Sequence, residues 1–309
     1  MLRPKPKYEP TQTFSIEKDG FYGFYYEPAE IRFPGKSMVI CTGSDGSFLL
    51  AKLGAGYFVD AGMPVLALGY FNVPGAGKDP LLCPVEYMQN AVNWLRNSKQ
   101  VHVGVWGISL GGEYSLLCGS LFPEIECVVA SSPVHIVTQC GSFNGGLHMC
   151  SGSPFSQNGK PVPCIMAGST KKEMDAIVRQ MKKSFLRNRE PDMLFFYREV
   201  LGKPHLEEAD IRVENIHGPV LLISGKEDVM VPSDWTCEEV VKRLKQHNFP
   251  YPYRHNSYSP LSHYACPLRP MTSSMFQVER RRAKECNASR ARMWADTLEF
   301  LRDEWVIHE

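Results

Sequence analysis

The sequence predicts an α/β protein built on a mostly parallel, doubly wound sheet, and three observations carry that prediction. Short unbroken apolar runs recur from Ser37 onward, helix-period stretches lie between them, and Gly, Pro, Ser and Asp cluster at the junctions. Unbroken runs suit strands buried on both faces, because a half-exposed strand would alternate with polar residues. Strands separated by helices return in the same direction, which places helices on both sides of a parallel sheet.

The elements follow in order. Segment 13–27, TFSIEKDGFYGFYYE, alternates and turns at Asp19 and Gly20, predicting an antiparallel hairpin. The apolar runs are SMVICTG (37–43), PVLALGYF (64–71), VHVGVWGIS (101–109), IECVVASSP (125–133) and PVLLISG (219–225), with a further strand near 251–258. Helices are predicted over 48–61, 85–97, 113–122, 233–247 and 288–305. Pro84 suits the first position of the second helix, where the N–H it lacks would have no acceptor. Between about 134 and 216 the alternation breaks: 141–168 is rich in Gly, Ser and Pro, and helices are expected over 170–187 and 191–201. So long a stretch without a core strand reads as a cap inserted over the carboxyl ends of the strands. No repeat or low-complexity linker divides the chain. The expectation is one domain over 1–309, with the hairpin in 1–36 and the cap in about 134–216.

Composition narrows the function classes. The 309 residues are 43% hydrophobic and 22% charged, the balance of an ordinary globular protein, with a formal net charge of +1. Nucleic acid is excluded as a partner, since the only basic run is Arg280, Arg281 and Arg282. No apolar run approaches the roughly 18–20 residues of a membrane span. The opening MLRPKPKYEP lacks the apolar stretch of a secretory signal. Ten scattered cysteines with no C-x-x-C pair read as reduced, mostly buried thiols of a cytoplasmic protein. Without a His-x₃-His pattern either, no structural zinc is expected, and no metal or organic cofactor is implied.

One pentapeptide carries chemistry. Gly107-Ile108-Ser109-Leu110-Gly111 falls where an apolar run ends and a helix begins, the placement a nucleophile elbow requires. Flanking glycines let neighbouring backbone approach, and the tight turn lifts the Ser109 hydroxyl out of the sheet toward the positive end of the following helix. The Leu110 N–H becomes one oxyanion donor; the second should come from the turn after 37–42, from the backbone of Ser44 or Asp45, with Ser47 as the cap of the next helix. A serine hydroxyl needs a base, and the base needs a carboxylate to fix its tautomer. In this architecture they follow in the order Ser, acid, His. The acid sits just after the run 219–225, at Asp228 or its neighbour Glu227, with Asp228 preferred. Of the later histidines, His247 ends a basic helix, His308 is terminal and His255 lies inside a strand. His263 stands in the loop after that strand, where a base is delivered, and is preferred over His255. Glu113, in the first turn of the nucleophile helix, reads as a surface or supporting carboxylate that favours the helix dipole.

These residues together resemble the α/β-hydrolase domain shared by acyl-CoA thioester hydrolases and bile-acid-CoA:amino acid N-acyltransferases, close to the dienelactone hydrolases. The resemblance rests on VLALGYFN (65–72), PVEYMQNAVNWL (84–95), GISLGGE (107–113), FSQNGKPVP (155–163), GPVLLISGKED (218–228) and RARMWADTLEFL (290–301), in that order. It implies an α/β-hydrolase fold with Ser109, Asp228 and His263 as the triad. Three departures stand out. Family members of the acyl-CoA type usually carry a β-sandwich domain ahead of this one; Leu110 replaces a frequent Lys; and the acyltransferases look to use Cys where this chain has Ser109. A serine ester is usually released to water, so hydrolysis is expected over conjugation. The expectation is therefore an acyl thioester or ester hydrolase resembling an acyl-CoA thioesterase, acting on a small-molecule acyl substrate through an acyl-serine. A carboxylesterase or dienelactone-hydrolase-like enzyme is the alternative, ahead of an N-acyltransferase or a non-catalytic ligand-binding module.

Overall fold

The computed structural model describes residues 5–203 and 207–307, so His308 lies outside the described residues. Among these, eight strands form the main sheet: β1 (Gln12–Phe14), β2 (Tyr22–Tyr26), β3 (Lys36–Cys41), β4 (Val65–Gly69), β5 (His102–Ile108), β6 (Ile125–Ser131), β7 (Val220–Gly225) and β8 (Tyr253–Tyr258). Their order is β1-β2-β4-β3-β5-β6-β7-β8. Only β2 runs against its neighbours, pairing antiparallel with β1 and β4, and every other pair is parallel. The longer helices are α1 (Phe48–Asp60), α2 (Glu86–Trp94), α3 (Leu110–Leu121), α4 (Lys171–Asn188), α5 (Leu194–Leu201), α6 (Ser233–Gln246) and α7 (Ala283–Asp303). Sheet and helices together make the α/β-hydrolase fold.

Unbroken apolar strands bury both faces, as alternate residues of each strand go to opposite sides. Val39, Val105, Val128 and Leu222 pack in one cluster with Met88 and Val92 of α2, Leu116 of α3 and Val240 of α6. Ile40, Trp106, Val129 and Ile223 pack in the other with Phe58 of α1 and Met293 and Phe300 of α7. Segment 132–219 adds no strand to the main sheet among the described residues. It has its own apolar cluster, including Ile136, Ile177, Met181 and Phe196, and two small sheets. Gln139 holds it together: its amide donates to the carbonyls of Cys150 and Gly168 at 2.7 and 3.0 Å and accepts the N–H groups of Ala167 and Gly168, both at 2.9 Å.

Three local expectations are corrected. The hairpin forms, but its connection is a helical turn (Ile16–Asp19) ending at Gly20 with φ 76°, not a tight Asp-Gly turn. The Asp19 carboxylate reaches back to the Ser15 N–H at 2.8 Å, which stabilises that turn. Pro84 does not open α2. The N–H groups of Leu82, Cys83 and Val85 pair with the carbonyls of Ser153, Pro154 and Ser156, and Pro84 occupies the position in that short strand where no donor is used. The helix carrying the pentapeptide starts at Leu110, three residues before the predicted position 113. No helix among the described residues is long and apolar enough to cross a membrane, and all ten cysteines are free thiols.

α7 is tied to the loop after β8 by a buried ion pair. Arg290 pairs with Glu279, their side chains 4% and 0% exposed, and Glu279 also accepts the Ser262 hydroxyl at 2.8 Å. Removing one partner of such a pair strands the other charge away from water. Arg290→Met is expected to lower stability by about 3–5 kcal/mol in urea denaturation, with no comparable loss for Arg302→Met on the exposed face of the same helix.

Candidate active site

β4 and β5 lie on opposite sides of β3, so the carboxyl ends of β3 and β5 flank a switch point, where open α/β sheets bind ligands. Ser109 stands there, between β5 and α3, with φ 58° and ψ −125°. A non-glycine residue in so sparsely populated a region costs of order 1–3 kcal/mol and is held there by its surroundings. The Ser109 N–H donates to the Ser131 carbonyl at 2.8 Å, while its side chain caps nothing. The turn is tight because its glycines are bare: a Cβ on Gly107 would meet the Gly111 carbonyl oxygen at 2.0 Å, and one on Gly111 the Thr42 oxygen at 2.4 Å.

The other expected residues converge on this turn from three loops. His263, 4% exposed, follows β8, and Asp228, 7% exposed, follows β7. His263 Nδ1 donates to Asp228 Oδ2 at 2.9 Å. The same carboxylate accepts the Ser233 hydroxyl at 2.8 Å and the N–H groups of Met230 and Val231 at 2.9 and 3.0 Å. With its lone pairs so occupied, Asp228 fixes the imidazole with Nε2 free to accept a proton. Ser109 and His263 line one cavity of about 610 Å³, together with Gly43, Ser44 and Asp45. No hydrogen bond joins Ser109 to His263 among the described residues.

The runners-up are occupied elsewhere. Glu227 binds the Ser259 hydroxyl at 2.7 Å and the Leu261 N–H at 2.8 Å, bracing the loop before His263. His255 shares a hydrogen bond of 2.8 Å with Ser224, and burial pulls its imidazole below the usual range. His247 caps the end of α6.

Leu110 occupies the first position of α3, whose N–H has no acceptor within its own helix. Ser44 and Asp45 lie in the turn after β3, and Ser47 caps α1 by accepting the Leu50 N–H at 3.4 Å. Asp45 keeps contact with solvent, yet its carboxyl is pushed up to about 6 by the protein packed around it, against the pull of the Ser47 N–H, its own N–H and His263. Of the two readings of Glu113, surface or supporting carboxylate, the structure excludes the first: it is 2% exposed, and burial pushes its carboxyl well above the usual range. Burial also pushes the Cys41 thiol up to about 12 and Cys118 well above the normal thiol range, leaving neither as a ready thiolate. Among the described residues no cluster of His, Cys, Asp or Glu is arranged to hold a metal ion. The cavity wall that the sequence did not single out comes from segment 132–219, notably Phe143, Leu147, Met181 and Met193. Their apolar, unpatterned sequence gives no signal of a shared pocket.

A family model described as BAAT / Acyl-CoA thioester hydrolase C terminal matches residues 83–304. The chain belongs to that family. Among curated proteins, this family member is 27% identical over 222 residues to mouse acyl-coenzyme A thioesterase 2, mitochondrial, covering 70% of this chain and 41% of the relative. It is 25% identical over 218 residues to human acyl-coenzyme A thioesterase 1, covering 70% of this chain and 45% of the relative. The chain thus spans less than half the length of these relatives. Among solved structures, a Pyrococcus furiosus esterase superposes with a TM-score of 0.51 at 14% identity, covering 98% of this chain and 100% of that one. A Pyrococcus horikoshii acylaminoacyl peptidase does so with a TM-score of 0.52 at 13% identity, covering 94% of this chain and 40% of that one. At such low identity these structural neighbours establish the fold alone.

Gly107→Ala is expected to destabilise the protein by about 2 kcal/mol or more, because the added methyl must displace backbone and not a flexible side chain. Thermal denaturation of the purified variant measures it, and Gly56→Ala, whose added Cβ meets only the Tyr8 ring at 3.9 Å, is the comparison.

Proposed function

We propose that this protein is a serine hydrolase that cleaves an acyl thioester or ester through an acyl-Ser109 intermediate. The observation that carries the reading is one cavity reached by both a strained Ser109 and a His263 already bound to Asp228 at 2.9 Å. Ser109 Oγ attacks the substrate carbonyl carbon while His263 Nε2 takes the hydroxyl proton. The oxygen that gains negative charge is held by the backbone N–H of Leu110 and that of Ser44, with Asp45 the alternative second donor. The intermediate collapses, the bond to the leaving sulfur or oxygen breaks, and His263 returns the proton to it. Water then adds to the acyl-serine by the same route in reverse: its proton goes to His263 and then to Ser109 Oγ as the acid leaves.

The cavity walls favour an acyl substrate. Phe143, Phe185, Met193 and Phe276 present apolar surface around Ser109, and burying an acyl methylene there gains about 0.8 kcal/mol. Segment 134–216 acts as the cap in this reading. The names of the curated relatives support a coenzyme A thioester, as does Lys182 on the cavity wall. Leu110, in place of the cation that resemblance to the family leads one to expect, favours the alternative of a carboxylesterase. Hydrolysis is preferred to amino-acid conjugation because the nucleophile is serine. Ten free thiols, most of them buried, support a reducing compartment such as the cytoplasm.

Ser109→Ala is expected to lower turnover at least about 10³-fold with the fold intact, and a fluorophosphonate probe should label wild type but not this variant. His263→Ala should also abolish activity, whereas His255→Ala should not; the reverse result would move the base to His255.

Salt separates the two substrate classes. Contacts between exposed cations and phosphate weaken as the Debye length shrinks from about 10 Å at 0.1 M to about 3 Å at 1 M. KM for an acyl-CoA is expected to rise with ionic strength, and Lys182→Ala with Lys183→Ala should raise it with kcat nearly unchanged. A neutral ester should respond to neither. Equal responses, or no acyl-CoA hydrolysis, would select the carboxylesterase reading.

A further inference from the structure

Two compartments meet at Ser109. The larger is the apolar cavity of about 610 Å³. The smaller, about 50 Å³, lies on the Leu110 side of the nucleophile; its wall is largely apolar, with Val134, Phe196 and Val231, and Glu113 and Tyr197 are among its polar side chains. Glu113 sits one helical turn beyond Ser109 on α3. One of its oxygens accepts the Thr138 N–H at 3.3 Å; among the described residues the other has no hydrogen-bond partner, and no cation pairs with the carboxyl. Burial without a counter-charge favours the protonated form of the carboxyl, in which Glu113 presents an O–H that can donate. Tyr197 of α5, half-buried, brings a second donor. Its hydroxyl, pushed well above the usual phenol range by burial and by the nearby Cys140, Glu113 and Asp228, stays protonated and has no hydrogen-bond partner among the described residues.

Once a substrate excludes water from the compartment, donors left without acceptors cost of order 1–3 kcal/mol each, and a substrate atom that accepts from them avoids that cost. Size limits what that ligand atom belongs to. A single water needs about 10–15 Å³ by the same measure, so 50 Å³ admits a small oxygen-bearing group and not a coenzyme or aromatic leaving group. Position limits it further. His263, which must protonate the leaving group, lines the large cavity and not the small one. The small compartment therefore faces the acyl half of the substrate, close to its carbonyl.

We infer that this compartment is a specificity subsite for an oxygen substituent, a hydroxyl or keto group on carbon 2 or 3 of the acyl group, with Glu113 and Tyr197 as its hydrogen-bond donors. The acyl chain itself runs into the large apolar cavity. The inference rests on the acyl-Ser109 reading and narrows its substrate class. A site built to hydrogen-bond a substrate oxygen discriminates strongly against the analogue that lacks it, because the protein's own donors are then left unpaired.

The test uses the N-acetylcysteamine thioesters of butanoate, 2-hydroxybutanoate and 3-hydroxybutanoate. Release of thiol is followed, and each kcat/KM is divided by the uncatalysed hydroxide rate of that thioester. Active sites are titrated with a fluorophosphonate, so that a partly misfolded variant is compared per working site. Wild type is expected to prefer at least one hydroxyacyl substrate over butanoate by about 10-fold or more. Glu113→Leu should bring that ratio close to one and Tyr197→Phe should reduce it. Glu113→Gln, whose amide still donates, should keep most of it. A purely structural role for Glu113 would lower all three rates together and leave the ratio untouched. A wild-type ratio near one for both hydroxyacyl substrates, or a ratio that survives in Glu113→Leu, overturns the subsite. If hydrolysis instead persists in Ser109→Ala, it is the acyl-serine reading that fails.

Discussion

The close contact between the end of β5 and the first turn of α3 is the constraint on which the rest of the site depends. Gly107 and Gly111 lie so near each other, and Gly111 so near Thr42, that only hydrogen atoms fit between them. That contact draws the α3 N-terminus down onto the sheet and brings the turn after β3 alongside. Ser109 has no room to relax from its left-handed backbone and projects its side chain away from the sheet. The N–H of Leu110 and the backbone of Ser44 are brought to the same side by the same contact. A single packing requirement thus sets the proposed nucleophile and the groups proposed to stabilise charge next to it.

His263 and Asp228 are held by a separate arrangement that meets the first at the cavity. Four hydrogen bonds converge on the Asp228 carboxylate, so its orientation is set before any substrate arrives. The His263 loop is braced on one side by Glu227 and on the other by Ser262, Glu279 and Arg290. Rigid support of this kind suits the role proposed for His263, since small errors of position are costly in rate. The Ser131 and Ser132 hydroxyls add to it by donating to the carbonyls of Ala265 and His263, tying the end of β6 to the same loop.

Polarity is divided unevenly around Ser109. The large cavity is mostly apolar, with its charged groups at Asp45, Lys182 and Asp192 among the few polar side chains of the wall. The small compartment brings the buried Glu113 carboxyl and the half-buried Tyr197 hydroxyl to the same serine. The cysteines contribute no rival chemistry, because burial raises thiol pKa values and suppresses the thiolate. Asp45 is different. Its carboxyl is exposed on the cavity wall, where the surrounding protein pushes it upward and solvent screens it.

What the sequence determined by itself is whatever local pattern could encode. Unbroken apolar runs separated by helical stretches specify a parallel sheet covered on both faces, and the strands fall where those runs lie. Gly-x-Ser-x-Gly at a strand-to-helix junction specifies the elbow, because its two glycines and its φ requirement are properties of five consecutive residues. Chain order then narrowed the acid to Asp228 or Glu227 and the base to His263 or His255. Which of each pair meets the other is a matter of tertiary structure: Glu227 and Asp228 are adjacent in sequence, yet Glu227 braces a loop and Asp228, the proposed acid, turns inward to the His263 imidazole. Glu113 shows the same limit. Its place in the first turn of a helix suits an exposed carboxylate, and its burial comes from residues 134–141 and Tyr197, brought over it by a segment with no strand in the main sheet. Burial and the pKa shift that follows are properties of what the rest of the chain packs against a residue. The hairpin connection and the start of α2 were likewise decided by partners distant in sequence or by a side chain reaching back to the backbone, which no period in the sequence records.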